Sequence, residues 1–148
     1  MNAKQKKFIL NKLIPFVLRE QGRGFGMSVW CHRNLPVGEK MFYDGTTREV
    51  PVCGTVACIG GSAQLLSSIN GRPVANWERT TMGLTDEQAD SLFFRWEQGD
   101  QKRWGVGWPD KFAIRYKKAA TPLGKAKVAV ALLKEVVKTN GKCLEAKS

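Results

Sequence analysis

The stretch between Thr121-Pro122 and Asn140-Gly141 constrains the fold more than any other part of this sequence. Threonine is a common helix N-cap, proline is favoured in the first helical turn, and Asn-Gly is a common helix end. Between these signals, apolar residues recur at three- and four-residue steps, namely at Leu123, Ala126, Val130, Leu133 and Val137. The pattern predicts a long amphipathic helix that must bury one face against the rest of the chain.

Helical patterns dominate the remaining sequence as well. We expect a first helix over about residues 3–20, broken near Pro15, and another helix from Thr55 to about residue 70. The segment Thr85-Asp86-Glu87-Gln88 is a capping box, in which the first and last side chains each satisfy a free backbone N–H. Pro109 is expected to start a further helix that continues through Lys118.

The strongest strand signal is a hairpin. Residues 41–43 and 46–50 flank Asp44-Gly45, a dipeptide that accepts the positive φ angles of a tight turn. Residues 27–31 form a second, shorter extended stretch. We therefore predict a mostly α protein of four to six helices with one small β-hairpin or short sheet, and an α+β fold is the alternative.

Two features of the packing also follow from the sequence. Gly60-Gly61 lies inside a predicted helix, where each glycine costs about 1 kcal/mol relative to alanine, so we expect another backbone segment to approach closely there. The predicted core consists of side chains on the apolar stripes of the helices: Ile59, Leu66, Leu92, Phe93, Val130 and Leu133.

The length and the apolar runs set bounds on the class of protein. The chain has 148 residues, which predicts a single domain over residues 1–148. Its longest uninterrupted apolar run, residues 128–133, is far shorter than the ~18 residues that span a bilayer. We therefore expect a cytoplasmic protein with reduced cysteines and no membrane partner.

Positive charge is concentrated near one end of the chain. The formal net charge is +11, and residues 102–148 carry 12 Lys and Arg against 3 Asp and Glu. Such asymmetry favours an anionic partner, although lysine-rich helix faces also keep small domains in solution. The residues expected to bind nucleic acid are Lys102, Arg103, Trp104, Lys111, Arg115, Lys118, Lys127 and Lys134. An exposed Trp104 or Trp108 could stack on unpaired bases.

Cysteine and histidine suggest two further hypotheses. The side chains of Cys31, His32, Cys53 and Cys58 are of types that zinc accepts, but their spacing is unusual for a zinc site. Alternatively, His32 could activate Cys53 or Cys58 as a nucleophile. We expect neither a metal nor another cofactor and no disulfide, with Cys58 buried and Cys143 exposed.

Three short segments carry a family resemblance. These are residues 53–63 (CGTVACIGGSA), residues 83–93 (GLTDEQADSLF) and the dipeptide Trp108-Pro109. Together they resemble a family of small uncharacterised proteins of bacteria and their phages, and the resemblance covers roughly Phe25 to the final helix. Ser62 departs from the bulkier residue, often tryptophan, found in such proteins. The resemblance implies no activity, because no function is assigned to that family.

The sequence thus leads to three functional hypotheses. The first is a non-enzymatic accessory protein that binds nucleic acid, or a machine bound to nucleic acid, through its basic C-terminal third. The alternative is a phage or bacterial protein-interaction module that docks on an acidic partner protein. A cysteine-based enzyme or a zinc-binding domain ranks third, and no small-molecule substrate is inferred.

Overall fold

A computed structural model of the protein describes residues 1–28, 30–93 and 107–145. The helices are α1 (Ala3–Phe8), α2 (Ile14–Leu18), α3 (Ile59–Ser67), α4 (Trp77–Thr80), α5 (Asp86–Phe93), α6 (Asp110–Lys118) and α7 (Pro122–Thr139). A π-helical turn covers Ile9–Leu13, and 3-10 turns cover Arg19–Gly22 and Lys142–Leu144. The strands are β1 (Cys31–His32), β2 (Lys40–Tyr43), β3 (Thr46–Glu49) and β4 (Val56–Ala57). The predicted mostly α class with a small hairpin is confirmed.

The two small sheets are both antiparallel pairs. Strands β2 and β3 form the predicted hairpin, and the turn residues Asp44 and Gly45 have φ angles of 51° and 75°. Strands β1 and β4 pair through Cys31 with Ala57 and His32 with Val56. The extended stretch predicted over residues 27–31 is therefore wrong at its start, where residues 27 and 28 lie in a turn.

The predicted break near Pro15 takes the form of a π-helical turn. Proline offers no backbone N–H and crowds the carbonyl one turn earlier. The N–H of Ile14 reaches back to the carbonyl of Ile9, five residues away, so the chain stays helical while its hydrogen-bond spacing widens just before the proline. Ile9, Leu13 and Val17 recur at four-residue steps and are all fully buried, so they form the inner face of this helical segment.

Helix α3 begins later than predicted. Thr55 is not its N-cap, because the backbone of Ala57 is engaged in sheet-like hydrogen bonds to Gly24 and Gly26. The cap is Cys58, whose sulfur accepts a hydrogen bond from the N–H of Gly61 at 3.4 Å. The helix also ends earlier, at Ser67.

The long helix α7 is the centre of the hydrophobic core. It packs against α2, against the 3-10 turn Arg19–Gly22 that follows α2, and against α6. Of the six predicted core side chains, Ile59, Leu92, Phe93, Val130 and Leu133 are buried. Leu66 is only partly buried, so its assignment to the core interior is wrong.

The predicted close approach at Gly60-Gly61 is confirmed. A Cβ atom at Gly61 would lie 1.8 Å from the backbone oxygen of Trp30, and one at Gly60 would lie 2.3 Å from the Trp30 ring. The missing side chains thus allow the segment before β1 to lie directly on helix α3.

Among the described helices, none is both long enough and apolar enough to span a bilayer.

Candidate nucleic-acid interface

Helix α6 divides its residues between a buried face and a basic one. It starts after Pro109 and has Asp110 in its first turn, where a negative charge favours the helix dipole. Its buried side chains are Phe112, Ala113 and Tyr116. The exposed cationic side chains Lys111, Arg115 and Lys118 follow one another at four- and three-residue steps, so they share one strip of the helix surface.

Helix α7 carries a second basic strip. The Thr121 hydroxyl caps the helix by accepting the N–H of Gly124 at 3.0 Å. The side chains of Lys127, Lys134 and Lys138 are exposed and spaced by seven and four residues, which places them on one face opposite the core. At 1.5 Å per residue, the strip extends over about 16 Å.

The two basic strips belong to neighbouring helices. Only residues 119–121 connect α6 to α7, and the two helices pack directly against each other. None of the six strip residues forms an ion pair with a residue in the described ranges. The basic strips Lys111/Arg115/Lys118 and Lys127/Lys134/Lys138 therefore each present unneutralised positive charge.

Three of the eight residues assigned to the interface from the sequence lie outside the described residues, namely Lys102, Arg103 and Trp104. The remaining five, Lys111, Arg115, Lys118, Lys127 and Lys134, are all exposed. Lys138 is also exposed and lies four residues after Lys134, on the same face of α7.

Trp108 cannot stack on bases. Its side chain is only 4% exposed, and its indole N–H donates to the carbonyl of Leu92 at 2.8 Å. Its ring also meets the Tyr116 ring edge to face, with 5.0 Å between the centroids. The stacking role considered for Trp108 is therefore wrong, because the indole fixes helix α6 to the end of α5.

The burial of one lysine, Lys125, was not predicted from the sequence. Lys125 is 5% exposed, and its ammonium donates to the carbonyl of Tyr116 at 2.8 Å while lying 4.4 Å from the centre of the Tyr116 ring. The signal was present, because Lys125, Val128, Leu132 and Val136 follow one another at helical steps on the buried side of α7. Lys125 therefore joins α6 to α7 and adds nothing to the exposed strips.

A partly buried polar cluster fixes the β2–β3 hairpin against helix α6. The Asp44 carboxylate accepts hydrogen bonds from the Tyr116 hydroxyl, from the N–H of Met27 at 3.0 Å and from the Ser28 hydroxyl at 3.2 Å. Burial, together with the negative charge of Asp44, raises the pKa of the Tyr116 hydroxyl well above its ordinary value. The tyrosine is therefore a neutral hydrogen-bond donor, and its role here is structural.

Arg48 anchors the inner side of the same hairpin. Its guanidinium is buried and donates to the carbonyl of Phe25 and to the Thr46 hydroxyl, the latter at 2.8 Å. Burial lowers the pKa of this guanidinium below its usual value. Arg48 is thus a buried cation that stabilises the fold and adds no charge to the surface.

The cysteine and histidine residues do not assemble a metal site among the residues that the structure describes. Burial raises the pKa of the Cys58 thiol, and the hydrogen bonds from Gly61 and Gly60 only partly oppose this effect. A thiol in this environment is a poor nucleophile at neutral pH. Cys53 and His32 are exposed, and Cys143 is partly buried and not exposed as predicted.

Comparison of the chain with protein-family models, with curated proteins and with solved structures finds no match. The family resemblance drawn from residues 53–63, residues 83–93 and Trp108-Pro109 therefore stays a prediction.

Proposed function

We propose that this protein is a non-enzymatic accessory factor that binds nucleic acid through the basic strips of α6 and α7. The observation that supports this proposal is the exposure of six cationic side chains on two helices that pack side by side. Nucleic-acid backbones bind such surfaces because neutralised phosphates release condensed counterions.

The energetics within the strips favour an anionic ligand. Lys111 and Arg115, like Lys134 and Lys138, are four residues apart, and like charges at that spacing destabilise a helix by about 0.2–0.5 kcal/mol per pair. A row of phosphates would relieve this repulsion. Because Trp108 is buried, base stacking adds nothing at this position, and the described part of the interface contacts the backbone of the nucleic acid.

The direct test is a titration of the protein with fluorescent single-stranded and double-stranded DNA and RNA of mixed sequence, followed by anisotropy. We expect binding that varies little with sequence and weakens steeply between 50 and 200 mM salt, values chosen to expose the electrostatic contribution. The logarithm of Kd should rise linearly with the logarithm of salt concentration. Absence of binding to all four ligands at low salt would refute the proposal.

A second candidate function is docking on an acidic partner protein. It is favoured by exposed apolar side chains in and beside the β2–β3 hairpin, where Phe42 is 77% exposed and Val37 and Val52 are exposed as well. Aromatic side chains are enriched in protein contacts. In this case Phe42→Ser would abolish capture of the partner, whereas it would leave binding of nucleic acid unchanged.

A further inference from the structure

The chain contains two Asn-Gly dipeptides with the same local conformation, Asn70-Gly71 and Asn140-Gly141. The φ angles are 51° and 75° in the first dipeptide and 53° and 82° in the second, so all four residues lie in the left-handed region. Because the two dipeptides share residue types and φ angles, a difference in their chemical reactivity must come from their surroundings.

Asn70-Gly71 forms the tip of an exposed loop. The backbones of Ile69 and Arg72 exchange two hydrogen bonds of 2.9 and 3.0 Å, and positive φ angles at both residues between them are those of a type I′ turn. Asn70 and Gly71 are both exposed. The Gly71 N–H has no acceptor among the described residues, and a Cβ atom on Gly71 would meet nothing within 4 Å. The nitrogen of Gly71 is therefore neither engaged nor shielded by the described part of the chain.

Asn140-Gly141 is held at the C-terminal end of α7. Asn140 is the C-cap of the helix, and the Gly141 N–H donates to the carbonyl of Val136 at 2.8 Å. Gly141 is buried, and a Cβ atom there would lie 2.8 Å from the side chain of Gln88. The nitrogen of Gly141 is therefore both hydrogen-bonded and enclosed.

We propose that Asn70 is a site of spontaneous deamidation and that the fold protects Asn140 from the same reaction. The backbone nitrogen of Gly71 loses its proton and attacks the side-chain Cγ of Asn70. The bond from Cγ to the amide nitrogen breaks, and that nitrogen takes up a proton and leaves as ammonia. Water then opens the resulting five-membered succinimide at either of its two carbonyls, which yields aspartate or isoaspartate. Glycine favours the ring closure, because it has no side chain to crowd the attacking nitrogen.

The two sites differ in the structure that must open before the ring closes. The nitrogen of Gly71 reaches Cγ of Asn70 only after rotation about the Cα–C bond of the asparagine. At Asn70 this rotation disturbs an exposed loop, and exposed loops open at low free-energy cost. At Asn140 it breaks the hydrogen bond from Gly141 to Val136 and moves a buried glycine at the end of the central helix. We therefore expect deamidation at Asn140 to be slower by about tenfold or more.

The reaction changes both the charge and the backbone of the loop. Either product replaces a neutral amide with a carboxylate, so the formal net charge of +11 falls by one. Isoaspartate also routes the main chain through the former side chain and lengthens it by one carbon atom, which disrupts the hydrogen bonds between Ile69 and Arg72. The basic strips of α6 and α7 take no part, so this inference is independent of the proposed function.

The experiment incubates the purified chain in mildly alkaline buffer at body temperature and follows each asparagine by mass spectrometry of proteolytic peptides. Each deamidation replaces an NH2 group with OH and raises the mass of its peptide accordingly. We expect Asn70 to convert about tenfold or more faster than Asn140. Its rate should rise with pH, because the attacking nitrogen must lose a proton. In concentrated urea the two rates should become similar, because both asparagines then precede an unprotected glycine.

Asn70→Gly and Asn140→Gly are the matched variants. Glycine adopts positive φ angles without strain, so each variant retains its turn or helix end. Asn70→Gly should remove nearly all of the mass gain of the folded protein, whereas Asn140→Gly should leave it unchanged. Circular dichroism should show wild-type helix content for both variants.

Three results would overturn the inference. Equal rates at Asn70 and Asn140 in the folded protein would show that the fold makes no difference. If Asn70 stays intact in the folded protein but reacts in urea, the turn protects the amide and the assignment of the site is wrong. If Asn70 stays intact even in urea, the chemical step itself is refuted. None of these results bears on the binding of nucleic acid, which its own titration decides.

Discussion

At Gly61 a single methyl group is incompatible with the contact between α3 and Trp30. The added Cβ would lie 1.8 Å from a backbone oxygen, which cannot rotate away as a flexible side chain would. We expect Gly61→Ala to lower the free energy of unfolding by about 1–3 kcal/mol, although alanine gains about 1 kcal/mol in helix propensity. Urea denaturation followed by circular dichroism measures the difference.

Gly124→Ala is the matched control for that variant. Gly124 is also a helical glycine, but its added Cβ would meet the Thr121 hydroxyl at 3.1 Å and the Ala119 side chain at 3.4 Å. The first of these is a side-chain atom that needs to move only slightly. If the two variants are equally stable, the close approach of Trp30 to α3 is wrong.

Lys125 and Lys127 are neighbours on α7 with opposite environments. Lys125→Ala removes a charged donor from the Tyr116 carbonyl and the packing of its stem, so we expect a loss of about 2 kcal/mol in the free energy of unfolding. Lys127 is exposed, so Lys127→Ala should change that free energy by less than about 0.5 kcal/mol. Thermal denaturation of both variants checks this difference, and a stable Lys125→Ala protein would contradict the buried contact.

Among the elements, the β2–β3 hairpin depends on helix α6 for its placement. Tyr116→Phe removes the hydroxyl that donates to Asp44 and leaves the carboxylate with fewer donors. We expect this variant to lose about 1–3 kcal/mol in the free energy of unfolding near neutral pH. Urea denaturation measures the loss, and Phe112→Leu, a change in the apolar face of the same helix, shows the effect of altered packing alone.

A second prediction concerns the stability of the wild type and of Tyr116→Phe at alkaline pH. The pKa of the Tyr116 hydroxyl is raised in the folded state above its ordinary value of 10.0, so the folded protein binds this proton more tightly than the unfolded chain does. The resulting stabilisation is fully present below about pH 10 and is lost as the pH rises from there toward the folded pKa. The advantage of the wild type over Tyr116→Phe should therefore shrink above about pH 10, and a constant difference would contradict the buried hydrogen bond.

The elements that could be predicted from the sequence are those whose ends are marked by a helix cap or a turn dipeptide. The capping box is formed, since the Gln88 N–H donates to the Thr85 hydroxyl at 3.2 Å. Thr121 caps α7, and Asp44-Gly45 turns the hairpin. Strand β4 was not predictable, because its residues pair with residues 24–32 positions away in the sequence and carry no periodic pattern of their own.

In the candidate interface, too, features that depend on residues close in sequence were predictable, whereas a feature that depends on a distant contact was not. Exposure of Lys111, Arg115 and Lys118 follows from the helical period, which the sequence displays directly. Burial of Trp108 depends on a carbonyl at Leu92, in a different helix, and the sequence contains no signal for that contact. Residue type and spacing therefore predicted the exposure of the cationic side chains, but they did not predict the burial of Trp108.

For the whole molecule, the question is whether binding depends on the total charge of the chain or on the position of that charge. A net charge of +11 attracts any polyanion to some extent, whichever surface carries it. The proposed function makes the stronger statement that the strips of α6 and α7 form the contact. A test must therefore compare variants that lose the same number of positive charges from different parts of the surface.

Two double variants meet this requirement. Arg115→Gln with Lys118→Gln removes two charges from α6, whereas Lys4→Gln with Lys12→Gln removes two exposed charges near the N-terminus. The first should flatten the slope of log Kd against log salt by about one to two units and weaken binding of every sequence about equally, since each lost phosphate contact contributes about 0.9. The second should leave the slope nearly unchanged, and neither should alter stability by more than about 1 kcal/mol, because exposed charges contribute little to it. Equal effects of the two variants on the slope would show that net charge alone drives binding, and the assignment of the interface to α6 and α7 would then be wrong.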